Sequence, residues 1–375
     1  MRDADFLIVG GGIAGASAAY RLAPHGRTII LEAESQPGYH TSGRSAALYS
    51  KRYRNPSIRG FAIASGAFLE APPDGFAAAP LLTPRGLLII GRADQQAAVA
   101  NQFTADQVRD SVAHEVSRQD ALALVPCLNP DYVAHAMLAP DAQDIDTHGL
   151  HQGFLKGARR RKAEVVTDAR VLKLDYRDGK WRAETAAGIF TAPVVVNAAG
   201  AWADAVAAAA GLGGLGIQPL RRTCLTFDAP AGTDPAPWPM TMDADEAFYF
   251  KPEAGRIMAS PCDEHPSPPV DAQPEDLDVA EGVDRVERAT TLAVRRVTHR
   301  WAGLRCFMRD RLPVVGADPR ARGFIWLAGL GGFGMMTSEA LGRAAAAAAL
   351  GAGLPDDIQA TGVDAAKVAP DRFLD

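Results

Sequence analysis

Residues 5–15 read DFLIVGGGIAG and residues 27–32 read RTIILE. An apolar strand that runs into Gly10, Gly12 and Gly15, followed by a second strand closing on Glu32, is the opening of a dinucleotide-binding βαβ unit. Each position has a physical task. Gly10 makes the tight turn, Gly12 lets the backbone approach a pyrophosphate, and Gly15 lets the helix pack closely on the strand. The helix N-terminus then faces the phosphates. Glu32 lies where a carboxylate accepts hydrogen bonds from the hydroxyls of an adenosine ribose.

The same glycine spacing recurs at Gly211, Gly213, Gly216 and at Gly329, Gly331, Gly334. The first recurrence follows the helical-looking stretch 205–210 and runs into Pro219, so it reads as a flexible connector. The second follows the apolar run FIWLA (324–328) and precedes a helical stretch from Met335 through the alanines at 344–349. No acid-ended strand comes after it, which argues against a second complete nucleotide site. Such a turn can still aim backbone N–H groups at an anionic atom of a ligand held by the first site.

A chain of 375 residues, 47% of them hydrophobic, can hold two domains or one elaborated domain around a sizeable core. The net charge of −5, without long runs of one sign, gives no footprint for nucleic acid or an anionic membrane. The basic cluster 159–162 reads as the charged end of a helix. Cys127, Cys224, Cys262 and Cys306 show no CxxC pair and no His at metal spacing, so free thiols in a reducing compartment and no metal are expected. No signal peptide is expected after MRDAD, and no run of about 18 apolar residues is present to span a bilayer. The expectation is a cytoplasmic protein, with peripheral association at the inner membrane left open.

Hydrophobic period predicts helices over 13–23, 58–71, 95–110, 148–162 and about 279–292. Strands or hairpins are expected at 81–91 and 132–138, with a meander through 164–191 and a buried strand at 194–200. Further strands are expected between 217 and 307, and 263–273 reads as a Pro-rich loop. The fold class is α/β with α+β insertions: a discontinuous Rossmann-like domain (1–47, 145–212 and 306–375) and an antiparallel-sheet substrate domain (48–144 and 213–305).

Several motifs in fixed order, DFLIVGGGIAGASAAY, GYHTSGRSAAL (38–48), VVNAAGAWAD (195–204), WAGLR (301–305), LPVVG (312–316) and GLGGFGMMTS (329–338), resemble the FAD-dependent D-amino acid oxidase family of flavoproteins, and within it the D-arginine dehydrogenase branch. The resemblance implies FAD as cofactor. It also implies hydride transfer from the carbon bearing an amine beside a carboxylate to flavin N5, then hydrolysis of the imino acid to a 2-oxo acid and ammonia. For the cofactor it implies Gly10, Gly12, Ile13, Gly15 and Glu32, the Arg44-Ser45-Ala46 loop, Val171 at the adenine, and Gly200 with Trp202 beside the cofactor. Gly331, Gly332 and Gly334, with Met335 and Thr337, would bring N–H groups to the flavin N1–C2=O edge. From the residues alone, the 44–46 loop also reads as an ordinary turn and Trp202 as core.

A substrate carboxylate needs a fork of parallel donors, which arginine supplies. Arg305, ending an apolar strand, must find an anion. Arg222 resembles the second carboxylate arginine, with Arg221 on the opposite face; an ordinary exposed strand residue is its alternative. Tyr53 and Tyr249 resemble pocket tyrosines, with core packing as the rival explanation.

The departures concern the substrate side chain. Leu87 stands where the arginine-preferring enzyme has an acid, Leu48 replaces a histidine and Met336 a glutamine. With Met240, Met242 and Gly332 these predict an apolar pocket that favours apolar D-amino acids over D-arginine. No general base is evident; water or Tyr53 is the expectation. A 2-hydroxy acid or an N-alkyl glycine of the sarcosine or glycine type is the alternative substrate, and a flavin-binding module without turnover is the rival from another class. The partners expected are a small amino acid and an electron acceptor (quinone, carrier or oxygen). Whether flavin attachment is covalent stays open, with Cys306 read as a buried free thiol.

Overall fold

A computed structural model describes residues 1–103 and 113–374. Among these residues the strands form four sheets. The sheet that receives the opening motif runs Glu164–Val166, Thr28–Leu31, Phe6–Val9, Val194–Asn197, Phe324–Ala328, Val314–Ala317. Every neighbouring pair is parallel except the last. Phe6–Val9, Thr28–Leu31 and Phe324–Ala328 are buried along their whole length, as continuous apolar runs in a sheet covered on both faces should be. Ile13–Leu22 and Gly334–Ala349 pack together on one face. Ser17 lies so close to Gly342 that a side chain there would meet it at 2.9 Å.

The expected meander is present as Val171–Arg177, Lys180–Thr185 and Gly188–Ala192, joined at its edge by Arg2–Asp3. Its supposed first member, Glu164–Val166, belongs instead to the parallel sheet beside Thr28–Leu31. The segment 81–91 is not a hairpin. Leu82–Pro84 pairs with Gln143–Ile145, whereas Leu87–Gly91 enters the largest sheet.

That largest sheet carries Gln218–Phe227, Arg256–Ser260, Tyr249–Glu253, Met240–Asp243, Leu87–Gly91 and His135–Ala139 in this order, with Val297–Phe307 paired to Gln218–Phe227. Val297–Phe307 runs straight through the expected boundary at 305–306. The helices at Ile13–Leu22, Pro56–Glu70, Thr147–Arg160 and Asp276–Ala289 lie near their expected bounds. Of the helix expected over 95–110 the structure shows Gln96–Ala100, and 104–112 fall outside the described residues. The connector 211–216 is irregular but fixed, because the Asp204 carboxylate accepts the N–H groups of Leu215, Gly216 and Ile217 at 2.9–3.0 Å. Among the described residues no helix is long and apolar enough to cross a membrane.

Candidate active site

The glycine turn has the geometry its sequence demands. Gly10 adopts φ +103°, and a Cβ on Gly15 would lie 1.9 Å from the Gly10 carbonyl, so the first turn of the helix sits directly on the strand end. Glu32 is buried and accepts the N–H of Gly11 at 2.7 Å and of Glu34 at 2.9 Å. Two contacts were not legible in the motif: Ser42 Oγ accepts the Ile13 N–H at 2.9 Å, and His151 Nε2 donates to the Gly11 carbonyl at 2.8 Å. The N–H groups of Gly12, Ala14 and Gly15 find no backbone partner among the described residues and face outward from a helix N-terminus.

Two cavities meet at this turn. The smaller, about 190 Å³, is lined by Gly10, Glu32, Val171, Gly200 and Trp202, which is where the sequence placed the adenosine end. The larger, about 440 Å³, takes in Gly12, Ile13, Arg44, Ser45, Ala46, Gly200 and the turn 329–335, then opens onto the large sheet. There it is lined by Leu48, Tyr53, Leu87, Arg222, Met240, Met242, Tyr249 and Arg305. Ala46, Leu48, Leu87, Met240, Met242 and Tyr249 belong to one apolar cluster, so residues up to about 200 positions apart form a continuous wall.

Some sequence expectations are corrected here. Met336 and Thr337 line neither cavity: Met336 packs into the core beneath the parallel sheet, and Thr337 donates its hydroxyl to the Phe333 carbonyl. Met335 alone of these three faces the cavity, because one helical step turns a side chain by about 100°. The Gly331 N–H is not available to a ligand, since it donates to the Cys306 carbonyl at 2.7 Å; those of Gly332, Gly334 and Met335 have no backbone partner among the described residues. Arg44 does not offer its guanidinium either. It donates to the carbonyls of Ala272 and Ala302 and pairs with Asp271, tying the 41–46 loop to Val297–Phe307. Thr41 reinforces this tie by donating to the Leu304 carbonyl at 2.7 Å.

The two arginines differ sharply. Arg222 is buried and engaged, donating to the Asp263 carbonyl at 2.8 Å and to Glu264 at 3.2 Å. Arg221 points to the other face, where it holds Asp278 and Glu275. Arg305 makes no side-chain hydrogen bond or ion pair with any described residue and lies against Gly332, where a Cβ would come within 2.9 Å of its Cζ. Glycine at 332 therefore leaves the space that the guanidinium occupies. The Tyr53 ring packs edge-on against Phe333 at 4.8 Å. Burial pushes the Tyr53 hydroxyl up to about 12, with Arg305 pulling it down and Glu246 pushing it up. Near neutral pH Tyr53 is thus a hydrogen-bond donor rather than a base. Burial also raises Tyr249, whose hydroxyl lies 3.5 Å from Cys224 Sγ, and it raises the Cys306 thiol to about 12.

The sequence and the fold are matched by known proteins. The family described as DAO, FAD dependent oxidoreductase, matches residues 5–348. The chain belongs to that family. It is 23% identical over 345 residues to glycine oxidase of Geobacillus kaustophilus (strain HTA426), covering 87% of each chain. It is 24% identical over 366 residues to mitochondrial dimethylglycine dehydrogenase of Rattus norvegicus, covering 91% of this chain and 42% of that protein. Among solved structures, glycine oxidase from G. kaustophilus superposes with a TM-score of 0.83 at 22% identity, covering 94% of this chain and 96% of that one. L-alpha-glycerophosphate oxidase from Mycoplasma pneumoniae, solved with FAD bound, gives 0.83 at 18%, covering 93% and 95%. The protein is an FAD-dependent oxidoreductase. The N–H groups of Gly12, Ala14 and Gly15, without backbone partners among the described residues, and the buried Glu32 suit a dinucleotide, so the residues fit that cofactor.

Proposed function

We propose that this chain oxidises a small amino acid of the glycine or N-alkyl glycine type, at the carbon between nitrogen and carboxylate. One observation carries this reading: Arg305, without a side-chain partner among the described residues, lines the cavity between the apolar wall of Leu48, Leu87, Met240 and Met242 and the 329–334 turn. A fork of two parallel N–H donors is what a carboxylate requires, and Arg305 is half-buried at the cavity with that fork open to a ligand. Likeness to glycine oxidase and dimethylglycine dehydrogenase supports a glycine-type substrate over the D-arginine dehydrogenase branch.

FAD, when bound, supplies the two-electron acceptor for the substrate C–H bond. The protein's own residues bind and orient. Arg305 would fix the carboxylate, and Tyr53 and Tyr249, both protonated near neutral pH, would donate hydrogen bonds while their rings exclude water. Arg222, held by Asp263 and Glu264, would add positive field from behind rather than a second fork. The imine product takes up water outside the clamp and splits into a 2-oxo acid and ammonia or an alkylamine.

A second reading, D-amino acids with apolar side chains, is favoured by the wall of Leu48, Leu87, Met240 and Met242. An anaerobic flavin-bleaching screen separates the two. N-methylglycine, N,N-dimethylglycine or glycine should bleach the flavin faster than D-leucine, D-methionine, D-arginine or D-lactate, with glyoxylate as the oxo product. Faster bleaching by D-leucine would select the second reading. In either case Arg305→Met should lower kcat/KM by about 2–3 orders of magnitude, and near-normal kcat/KM would place the carboxylate elsewhere.

A further inference from the structure

The larger cavity has two carboxylates on its lining, Glu264 and Glu246. Glu264 already accepts hydrogen bonds from Arg222 and Arg311. Glu246 makes no side-chain hydrogen bond or ion pair with any described residue. On the cationic side, Arg305 and the more exposed Arg54 are likewise without a partner among the described residues. Among the described residues, one cavity therefore presents a carboxylate without a partner together with guanidinium groups without one.

The turn that carries the exposed Glu246 has a fixed backbone. It sits between Met240–Asp243 and Tyr249–Glu253, with φ +56°. A left-handed backbone is unfavourable for a non-glycine residue. The fully buried Asp243 offsets that cost. Its carboxylate accepts the N–H of Asp245 at 3.0 Å and the Tyr132 hydroxyl at 2.9 Å, and its carbonyl accepts the Glu246 N–H at 2.9 Å. Met240 and Met242, two residues apart on one strand face, carry the cavity wall from Leu87 toward this turn. Tyr53, Arg305 and Glu246 line the same cavity.

We propose that Glu246 pairs with the positively charged nitrogen of the substrate while Arg305 takes its carboxylate, so that the cavity selects zwitterions over neutral-headed acids of the same shape. The inference rests on the proposed oxidation of an amino acid and names what that site recognises: an ammonium two bonds from a carboxylate. It excludes 2-hydroxy acids as preferred substrates, because a hydroxyl leaves Glu246 without its counter-charge. It also gives Glu246 a role that the apolar wall at Leu48 and Leu87 does not supply.

The test uses two unreactive ligands that differ by one charge. Trimethylammonioacetate and 3,3-dimethylbutanoate have the same shape, with nitrogen in place of a quaternary carbon. Each is titrated into the FAD-loaded protein, following the flavin absorbance. The wild type should bind the zwitterion about fivefold more tightly than the carbon isostere, as a part-exposed ion pair allows. Glu246→Gln should abolish that preference without changing the affinity for 3,3-dimethylbutanoate, and Glu246→Asp should restore part of it. Added salt should shrink the wild-type preference. An equal ratio in wild type and Glu246→Gln, or binding of neither ligand, overturns the proposal. If the ratio behaves as expected but no glycine derivative bleaches the flavin, the pairing stands and the proposed reaction falls.

Discussion

At the scale of single residues, Glu32 and His151 show how the nucleotide loop is held from both sides. Glu32 holds the loop through the Gly11 N–H, while His151 holds it through the Gly11 carbonyl. Glu32→Ala should weaken FAD binding by about 1–3 kcal/mol, measured by titration of the apoprotein, because a buried N–H loses its acceptor as well as the ribose losing a partner. Unchanged affinity would mean that the adenosine lies elsewhere. Burial holds the His151 imidazole below its ordinary value. The unfolded chain therefore takes up a proton at this residue, near pH 6.5, before the folded chain does, and stability falls as pH drops from there toward the folded value. The difference between wild type and His151→Gln in melting temperature should consequently shrink on acidification below pH 6.5; a constant difference would refute the linkage. Glu32 was legible from its spacing to the glycines, whereas His151 was not, since nothing in the pattern of Thr147–Arg160 marks one buried histidine as the partner of a loop about 140 residues earlier.

Among the elements, those with a strong local signal were legible. The glycine turn, the meander of Val171–Thr185 and Gly188–Ala192, and the buried strands of the parallel sheet all follow from period and punctuation. What escaped is pairing between distant short strands. Met240–Asp243 lies parallel to Leu87–Gly91, and four residues reading MTMD carry no sign of that neighbour. The same limit hid the site's wall: Leu87 and Met240 could be named as candidates but not joined. Helix phase explains the Met336 error, because Met335 and Met336 are indistinguishable until the helix is docked. Gly15→Ala tests the closest approach between elements. With 1.9 Å to the Gly10 carbonyl, the helix must move off its strand, and we expect a loss of at least about 2 kcal/mol in stability together with loss of bound FAD. A stable, yellow Gly15→Ala protein would show that the helix has room to shift. Gly332→Ala should act more narrowly, displacing Arg305 and raising KM while the melting temperature changes little.

Across the whole molecule, the larger cavity draws its lining from segments near residues 12, 45, 87, 222, 240, 305 and 331, so parallel and antiparallel sheets both contribute. A ligand bound only when these segments are brought together by folding adds its binding energy to folding. FAD at 100 times its Kd should therefore raise unfolding stability by about 2.7 kcal/mol over the apoprotein, seen as a concentration-dependent rise in Tm. A Tm independent of FAD would mean that the cofactor leaves before the cooperative transition. The order of strands in the parallel sheet also bears on how the protein is made. Val194–Asn197 is flanked by Phe6–Val9 and Phe324–Ala328, two strands far apart in sequence. Until Phe324–Ala328 has been made, one edge of that strand has no neighbour and offers its peptide groups to any passing strand. A protein truncated before Phe324 would be left with an unpaired, aggregation-prone edge on Val194–Asn197.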